Sequence, residues 1–395
     1  MKADTSLLDH HLAQTSLFPF GLEIVSAFGI YLTDKNGKQY MDLISGVGVC
    51  NLGHGNQYVI DAIKHQLDKH MHIMVYGEYL QEAQIKAATL LCSLLASTLD
   101  CCYFVNSGTE ANEAALKLAK RVTGRTRILS CIGAYHGNTH GSLSISSNEV
   151  KKSPFRPLLP DVHFMRFNHL DDLSMIDNQT ACVILEPIQG DAGIRIPSTE
   201  YMHALRAKCD ATGTMLIFDE IQSGMGRTGT MFAFEQFHVV PDILTLGKAL
   251  GAGMPVGCVV SARHHMEKFT HNPMLGHIST FAGHPVICAA VAAGLEYFLE
   301  HKIVRDVNEK GNAFYEKLIG HHHVKEIRHR GLFFAIDLES AEHVQKVVEY
   351  CLEKGIVTFW FLSCPASFRI APPLTITQEE IDHACRIIIE ALDQL

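Results

Sequence analysis

The chain alternates between short, continuously apolar runs and stretches in which apolar residues return every three or four positions. From about residue 61 the helical spacing begun by Ile60, Ile63 and Leu67 is broken by apolar runs at 102–105, 127–131, 162–166, 181–185, 215–218, 243–246 and 256–260. Runs this short, apolar at successive positions, predict strands buried on both faces. Strands separated by helices predict a mostly parallel sheet with helices packed on either side, an α/β fold. The two ends of the chain read differently. Near the start, residues 29–49 alternate apolar and polar side chains about Asp34-Lys-Asn-Gly37, which predicts a small antiparallel hairpin. Residues 282–318 carry a largely helical pattern. Beyond them, extended runs at 331–338, 355–362 and 367–376 flank a helix at 341–354, and an amphipathic helix closes the chain at 378–395. The expected organisation is an N-terminal segment (1–55), a large α/β domain (56–285) and a small α+β domain (286–395).

Composition narrows the function more than the fold. A chain of 395 residues, 47% hydrophobic and 19% charged, can fill two or three cores of ordinary globular type. Its formal charge of −9 leaves no basic stripe, which argues against nucleic acid and anionic membranes as partners and favours a small-molecule enzyme. The longest apolar stretch, 285–295, falls short of the roughly 20 residues a membrane-spanning helix needs, so it reads as a buried helix. The N-terminus lacks the apolar core of an export signal. Twelve cysteines are scattered with no C-x-x-C, which predicts reduced thiols and a cytoplasmic protein.

The candidate chemistry gathers at the ends of the apolar runs. Lys248 sits in Leu244-Thr-Leu-Gly-Lys-Ala-Leu-Gly-Ala-Gly253, where small neighbours let a planar group approach the amine. Asp219 ends the run at 215–218, at the edge where open α/β sheets bind ligands. A lysine amine for a Schiff base and an acid facing a ring nitrogen form the pairing that pyridoxal phosphate (PLP) requires. Ser107-Gly108-Thr109 leads from a strand into a helix, which suits a phosphate or an ordinary helix cap. Tyr135-His136-Gly137 and Glu186 also follow predicted strands and reach the same edge, where a flat ring can stack on a cofactor or simply pack. Arg369 is a lone cation among apolar and proline residues, suited either to a carboxylate ligand or to an internal salt bridge. Gly224-Met-Gly226-Arg-Thr-Gly229 matches a dinucleotide fingerprint in letters only. It does not follow its strand directly and opens no helix, so it reads as a loop. His321-His-His323 cannot share one face of a helix or strand and reads as a solvated loop rather than a metal site.

Taken in order, the strings NSGTEAN, AYHG, EPIQG, IFDEIQSGMGRTG, the Lys248 segment, STFAGHP and RIAPPLT resemble class III (ω-amino-acid) aminotransferases over nearly the whole chain. The resemblance implies the PLP-dependent transferase fold of type I, with the cofactor in the large domain. It implies that Lys248 forms the Schiff base and Asp219 holds the pyridinium nitrogen. Gln222 would lie near the ring hydroxyl, Ser107, Gly108 and Thr109 at the phosphate, Tyr135 against the ring, and His136 and Glu186 close by. Thr280 would reach the phosphate of a partner subunit, making a homodimer the working unit. The implied reaction is ping-pong transamination between an amino donor and 2-oxoglutarate, with an aminomutase, a decarboxylase or a non-catalytic homologue as alternatives.

Substrate-binding positions depart from the family pattern. Arg369 matches the arginine that binds the α-carboxylate of glutamate and 2-oxoglutarate. Asp191 stands at the position of a glutamate that gates this arginine in several members, one methylene shorter, so direct contact needs a closer backbone or a bridging water. Asn138 stands where acetylornithine and ornithine enzymes tend to carry an arginine for the distal carboxylate, and a neutral amide cannot supply that charge. His284 and Asn56 are further departures, with no chemical consequence that follows from the residues.

Overall fold

The computed structural model describes residues 11–16 and 19–395, so the reading of the N-terminus as free of an export signal falls largely outside it. The seven apolar runs form one sheet. Its strands are β4 (Cys101–Val105), β5 (Arg127–Cys131), β6 (Val162–Met165), β7 (Thr180–Leu185), β8 (Met215–Asp219), β9 (Ile243–Gly247) and β10 (Gly257–Ser261), in the order β4-β10-β9-β8-β7-β5-β6. Neighbours run parallel except at β10, which is antiparallel to both β4 and β9. The N-terminal strands Ile24–Phe28 (β1), Tyr31–Asp34 (β2) and Gln39–Asp42 (β3) belong to another sheet.

The continuous apolar runs are explained by burial of both faces. In β7, Cys182 and Ile184 join one apolar cluster while Val183 and Leu185 join the other; in β8, Met215 and Ile217 are parted from Leu216 and Phe218 in the same way. Period-two side chains thus meet a core on each side, with the helix Gly108–Thr123 covering the face of the odd-numbered residues of β8. This parity directs Asp219, the last residue of β8, toward that helix.

The C-terminal part adds β11 (Glu326–Arg330), β12 (Phe333–Asp337), β13 (Ile356–Val357), β14 (Phe359–Trp360) and β15 (Ser367–Ile370). Strands β11-β12-β15-β14 make an antiparallel sheet, whereas β13 pairs in parallel with β3 of the N-terminal hairpin. The single run expected at 355–362 is therefore two short strands in two sheets, parted at Thr358, whose hydroxyl turns inward to donate to the Arg369 carbonyl at 2.5 Å. The same pairing joins the N-terminal hairpin and a strand of the C-terminal part in one four-stranded sheet. The pattern at 282–318 resolves into Pro285–Glu300 and Val307–Leu318, and the last helix runs from Gln378 to Leu392 with a capping box at Thr377 and Glu380. Among the described residues no helix is long and apolar enough to cross a membrane.

Candidate active site

The ends of β8 and β9 are neighbours in register, Asp219 opposite Thr245, and both side chains turn to the helix Gly108–Thr123. Asn112 of that helix ties them together. Its amide nitrogen donates to Asp219 Oδ2 at 2.8 Å, and its carbonyl oxygen accepts from the Thr245 hydroxyl at 2.8 Å. His136 Nδ1 lies 2.7 Å from Asp219 Oδ2, and the Ile221 N–H donates to Oδ1 at 3.0 Å. A carboxylate only accepts, so Nδ1 carries the proton of that bond. Asp219 is 4% exposed, and three donors fix its carboxylate in one orientation.

Lys248 follows β9 directly, with a left-handed φ of 44° that turns the chain out of the strand at the amine-bearing residue. It is partly exposed through a cavity of about 280 Å³ that it lines together with Gly108, Thr109, Tyr135, Asn138 and Asp219. Burial pushes its ammonium pKa down, and the opposing charges of Asp219 and Glu186 only partly offset this. An amine so placed is biased toward its neutral, nucleophilic form. Glu186, just beyond β7, accepts N–H groups from Tyr135 at 3.2 Å and Gly190 at 3.0 Å. Desolvation nevertheless pushes its pKa up to about 7, the nearby His136 resisting the rise.

At one end of the cavity the helix Gly108–Thr123 opens. Ser107 caps it, accepting the Glu110 N–H at 3.3 Å, and lies behind the cavity wall, whereas Gly108 and Thr109 line it. The capping reading of Ser107 thus holds, and a hydroxyl that accepts there can still donate elsewhere. Gly137 has φ 127°, and a Cβ on it would fall 2.3 Å from Thr109 Oγ1, so only glycine lets the Tyr135-His136 loop close on this helix end. Gln222 reaches across to Gly190, where a Cβ would meet its amide oxygen at 2.3 Å. Thr280 is exposed and outside the cavity wall of this single chain.

Arg369 and Asp191 meet beside this cavity. Asp191 is carried on a turn closed by paired backbone bonds between Gln189 and Arg195, at 3.0 and 3.1 Å, and held by Arg328 on the Gly193 carbonyl at 2.6 Å. Arg369 comes from β15, its guanidinium stacked 4.4 Å from the centre of the Phe361 ring. Its Nη2 stands 3.6 Å from Asp191 Oδ1, so the shorter side chain does approach the arginine directly, though beyond a good hydrogen bond. Asp191 spends its hydrogen bonds on Ser363 Oγ at 2.6 Å and the Leu362 N–H at 3.4 Å. The Arg369 Nε is buried with no partner among the described residues.

Sequence reasoning missed several of these residues. Asn112 carried a signal: a polar side chain one turn beyond Gly108, amid the buried Ala111, Ala114 and Ala115. Gly48, whose Cβ would lie 3.7 Å from Gln222 and 4.0 Å from Lys248, comes from the N-terminal segment and carried none. The Gly224–Gly229 letters form a run of turns whose Arg227 is 1% exposed and donates to the Leu332 and Pro372 carbonyls at 2.9 and 2.7 Å. His321 pairs with Asp393 at 3.0 Å, and among the described residues no cluster of His, Cys, Asp or Glu could hold a metal ion. All twelve cysteines are free thiols.

An amine and a fixed carboxylate at adjacent strand ends, facing one cavity, define a site for a cationic aromatic cofactor. The chain belongs to the class III aminotransferases, whose family model matches residues 13–392. It is a PLP-dependent transferase of amino groups. The [LysW]-aminoadipate semialdehyde/glutamate semialdehyde transaminase of Sulfolobus acidocaldarius is 38% identical, covering 94% of this chain and 95% of its own. The acetylornithine aminotransferase of Methanopyrus kandleri is 36% identical over 97% of both chains. Among solved structures, the ornithine aminotransferase of Toxoplasma gondii superposes with a TM-score of 0.91 at 28% identity, over 98% of this chain and 93% of that one. The type I transferase fold and the PLP requirement implied by the sequence strings are thereby borne out.

The residues present fit the cofactor. Two buried polar atoms of the cavity, His136 Nε2 and Ser223 Oγ, lack any hydrogen-bond partner among the described residues, as a wall built to meet a polar ligand would.

Proposed function

We propose that the chain transaminates an ω-amino acid or related amine with 2-oxoglutarate, and that Lys248 and Asp219 are its catalytic residues. The observation that carries this reading is the pairing of the Lys248 amine, its pKa lowered by burial, with the fixed carboxylate of Asp219 across one cavity. Lys248 would hold PLP covalently and Asp219 its ring nitrogen. Gly108 and Thr109 would hold the phosphate with Ser107 behind them, Tyr135 would lie against the ring, and Gln222, His136 and Glu186 would complete the wall. When bound, PLP supplies an electron sink for the carbon that loses its proton. The Lys248 amine would take that proton and return it, first as base and then as acid. The His136 and Asn112 bonds keep Asp219 from turning away while it faces the ring nitrogen.

Arg369 would receive the α-carboxylate of glutamate or 2-oxoglutarate, with Asp191 neutralising it when an amine without that carboxylate is bound. Asn138, on the cavity wall, brings no charge to the distal end of the donor. Thr280, exposed on one chain, would complete the site of a homodimer partner. Free thiols suit a cytoplasmic enzyme.

The test is a donor screen. Ornithine, N-acetylornithine, lysine, 4-aminobutyrate, β-alanine and diamines are mixed singly with the PLP-loaded protein, and bleaching of its yellow colour is followed before and after adding 2-oxoglutarate. At least one donor should bleach it and 2-oxoglutarate should restore it. Lys248→Ala should lower turnover by at least about 10³-fold; a variant as fast as the parent sinks the reading.

A further inference from the structure

A further cation, Lys151, borders the site. Glu149–Lys152 is a short helix capped by the Asn148 side chain, and its two lysines diverge. Lys152 turns inward, donating to the Ser144 carbonyl at 2.9 Å over the Phe164 ring. Lys151 turns toward the site. Its Nζ stands 3.9 Å from Asp191 Oδ2 and 5.7 Å from the centre of the Tyr135 ring, whose other neighbours include the cavity. The side chain is 33% exposed, against 11% for Asp191 and 10% for Arg369.

Asp191 therefore lies between two cations and is bonded tightly to neither. One oxygen faces Arg369 at 3.6 Å; the other faces Lys151 at 3.9 Å and takes the Ser363 hydroxyl at 2.6 Å. This matters when Arg369 must take a substrate carboxylate. The acceptor's anion then has to displace, or sit beside, the negative charge of Asp191. With Arg369 as its only counter-charge, Asp191 would stay on the guanidinium and compete with the substrate. With a second cation on its far side, it can leave Arg369 without becoming an isolated anion in a poorly hydrated pocket, where an unpaired charge is costly.

We propose that Lys151 is a positioning residue for the acceptor half-reaction: it is the alternative counter-ion of Asp191, and by holding that carboxylate it frees Arg369 for the carboxylate of a 2-oxo acid. The inference rests on the assignment of Arg369 to the acceptor, and deepens it by explaining how an aspartate one methylene short can serve both halves. Lys151 acts through Asp191 and touches neither reacting atom.

The experiment is a double-substitution cycle in the PLP-loaded full chain, with the two half-reactions measured separately. Lys151→Met should raise the KM for 2-oxoglutarate about three- to ten-fold, the size expected for a partly exposed charge pair, and leave bleaching by a carboxylate-free diamine unchanged. The effect should shrink at high salt, because the lysine is partly hydrated. Lys151→Arg should restore the parent KM. Above all, Lys151→Met should have no further effect once Asp191→Asn is present, because the charge it answers is gone. A parent that turns over 2-oxoglutarate while Lys151→Met keeps the parent KM overturns the proposal alone. So does a KM rise that persists in the Asp191→Asn background, which would mean that Lys151 binds substrate itself. A parent indifferent to every 2-oxo acid removes the acceptor assignment, and this proposal with it.

Discussion

The floor and the mouth of this site are built on opposite plans. On the floor, the Asp219 carboxylate takes three donors at 2.7 to 3.0 Å from His136, Asn112 and Ile221, and Asn112 is itself held by Thr245. Strand ends, a helix and a loop all converge there, so no single side chain can move without leaving a buried polar group unpaired. At the mouth, Asp191 faces Arg369 and Lys151 at 3.6 and 3.9 Å, and only its bonds to Ser363 and Leu362 are of hydrogen-bond length. The difference follows from the two jobs. On the proposed roles, one fixed cofactor needs a preorganised anion, whereas two substrates of different charge would use the same arginine in turn. Tightness at the mouth would favour one half-reaction at the expense of the other.

Substitutions can break this contrast. Asp219→Asn keeps the shape but turns one acceptor into a donor facing either the His136 and Asn112 donors or the Ile221 N–H, so turnover should fall about 100-fold or more, and PLP affinity measured by equilibrium dialysis should fall with it. If Asp219→Asn cost no more than a change at the mouth, the preorganised floor would be a fiction. Asn112→Ala removes the bridge without touching the cavity. It leaves the Thr245 hydroxyl, the His136 carbonyl and one Asp219 bond unmet, which costs about 1–3 kcal/mol of stability and about ten-fold in turnover. Thermal denaturation and kinetics should move together; a loss of melting temperature with full activity would make Asn112 a purely structural strut.

The floor was also the more legible half. Asp219 and Lys248 lie at the ends of apolar runs, and the strand period with the loop letters that follow placed both at one sheet edge. The reversal of β10 and the strand order were not legible, because an all-apolar run carries no direction and pairing partners are chosen by crossovers far apart in sequence. The same limit hid β13, whose two residues join β3 across more than 300 positions of chain. Gly48 lies against Lys248 from far away in sequence, and no local pattern marks it. At the mouth, Arg369 stood out as a lone cation among apolar and proline residues, whereas Asp191 was nameable only through the family strings. Lys151 was invisible, since a lysine beside a lysine in a polar turn reads as solvent-facing, and only the inward turn of Lys152 shows that the pair divides its labour.

The smallest effect is expected at Ser363, and it discriminates most finely. Its hydroxyl donates to the same Asp191 oxygen that faces Lys151, so it holds the carboxylate on the side away from Arg369. Ser363→Ala should release Asp191 toward the guanidinium, strengthen that pair, and raise the KM for 2-oxoglutarate about two- to three-fold, the scale of one partly exposed hydrogen bond. The half-reaction with a donor that brings no carboxylate to Arg369 should stay as it is, because a neutralised Arg369 suits such a donor. If Ser363 served only to pack the loop at 361–364, both halves would slow together. If Asp191 instead competed with the acceptor while held by Ser363, the KM would fall on substitution. A rise confined to the acceptor is the outcome that fits a carboxylate kept off its arginine by a hydroxyl on one side and a lysine on the other.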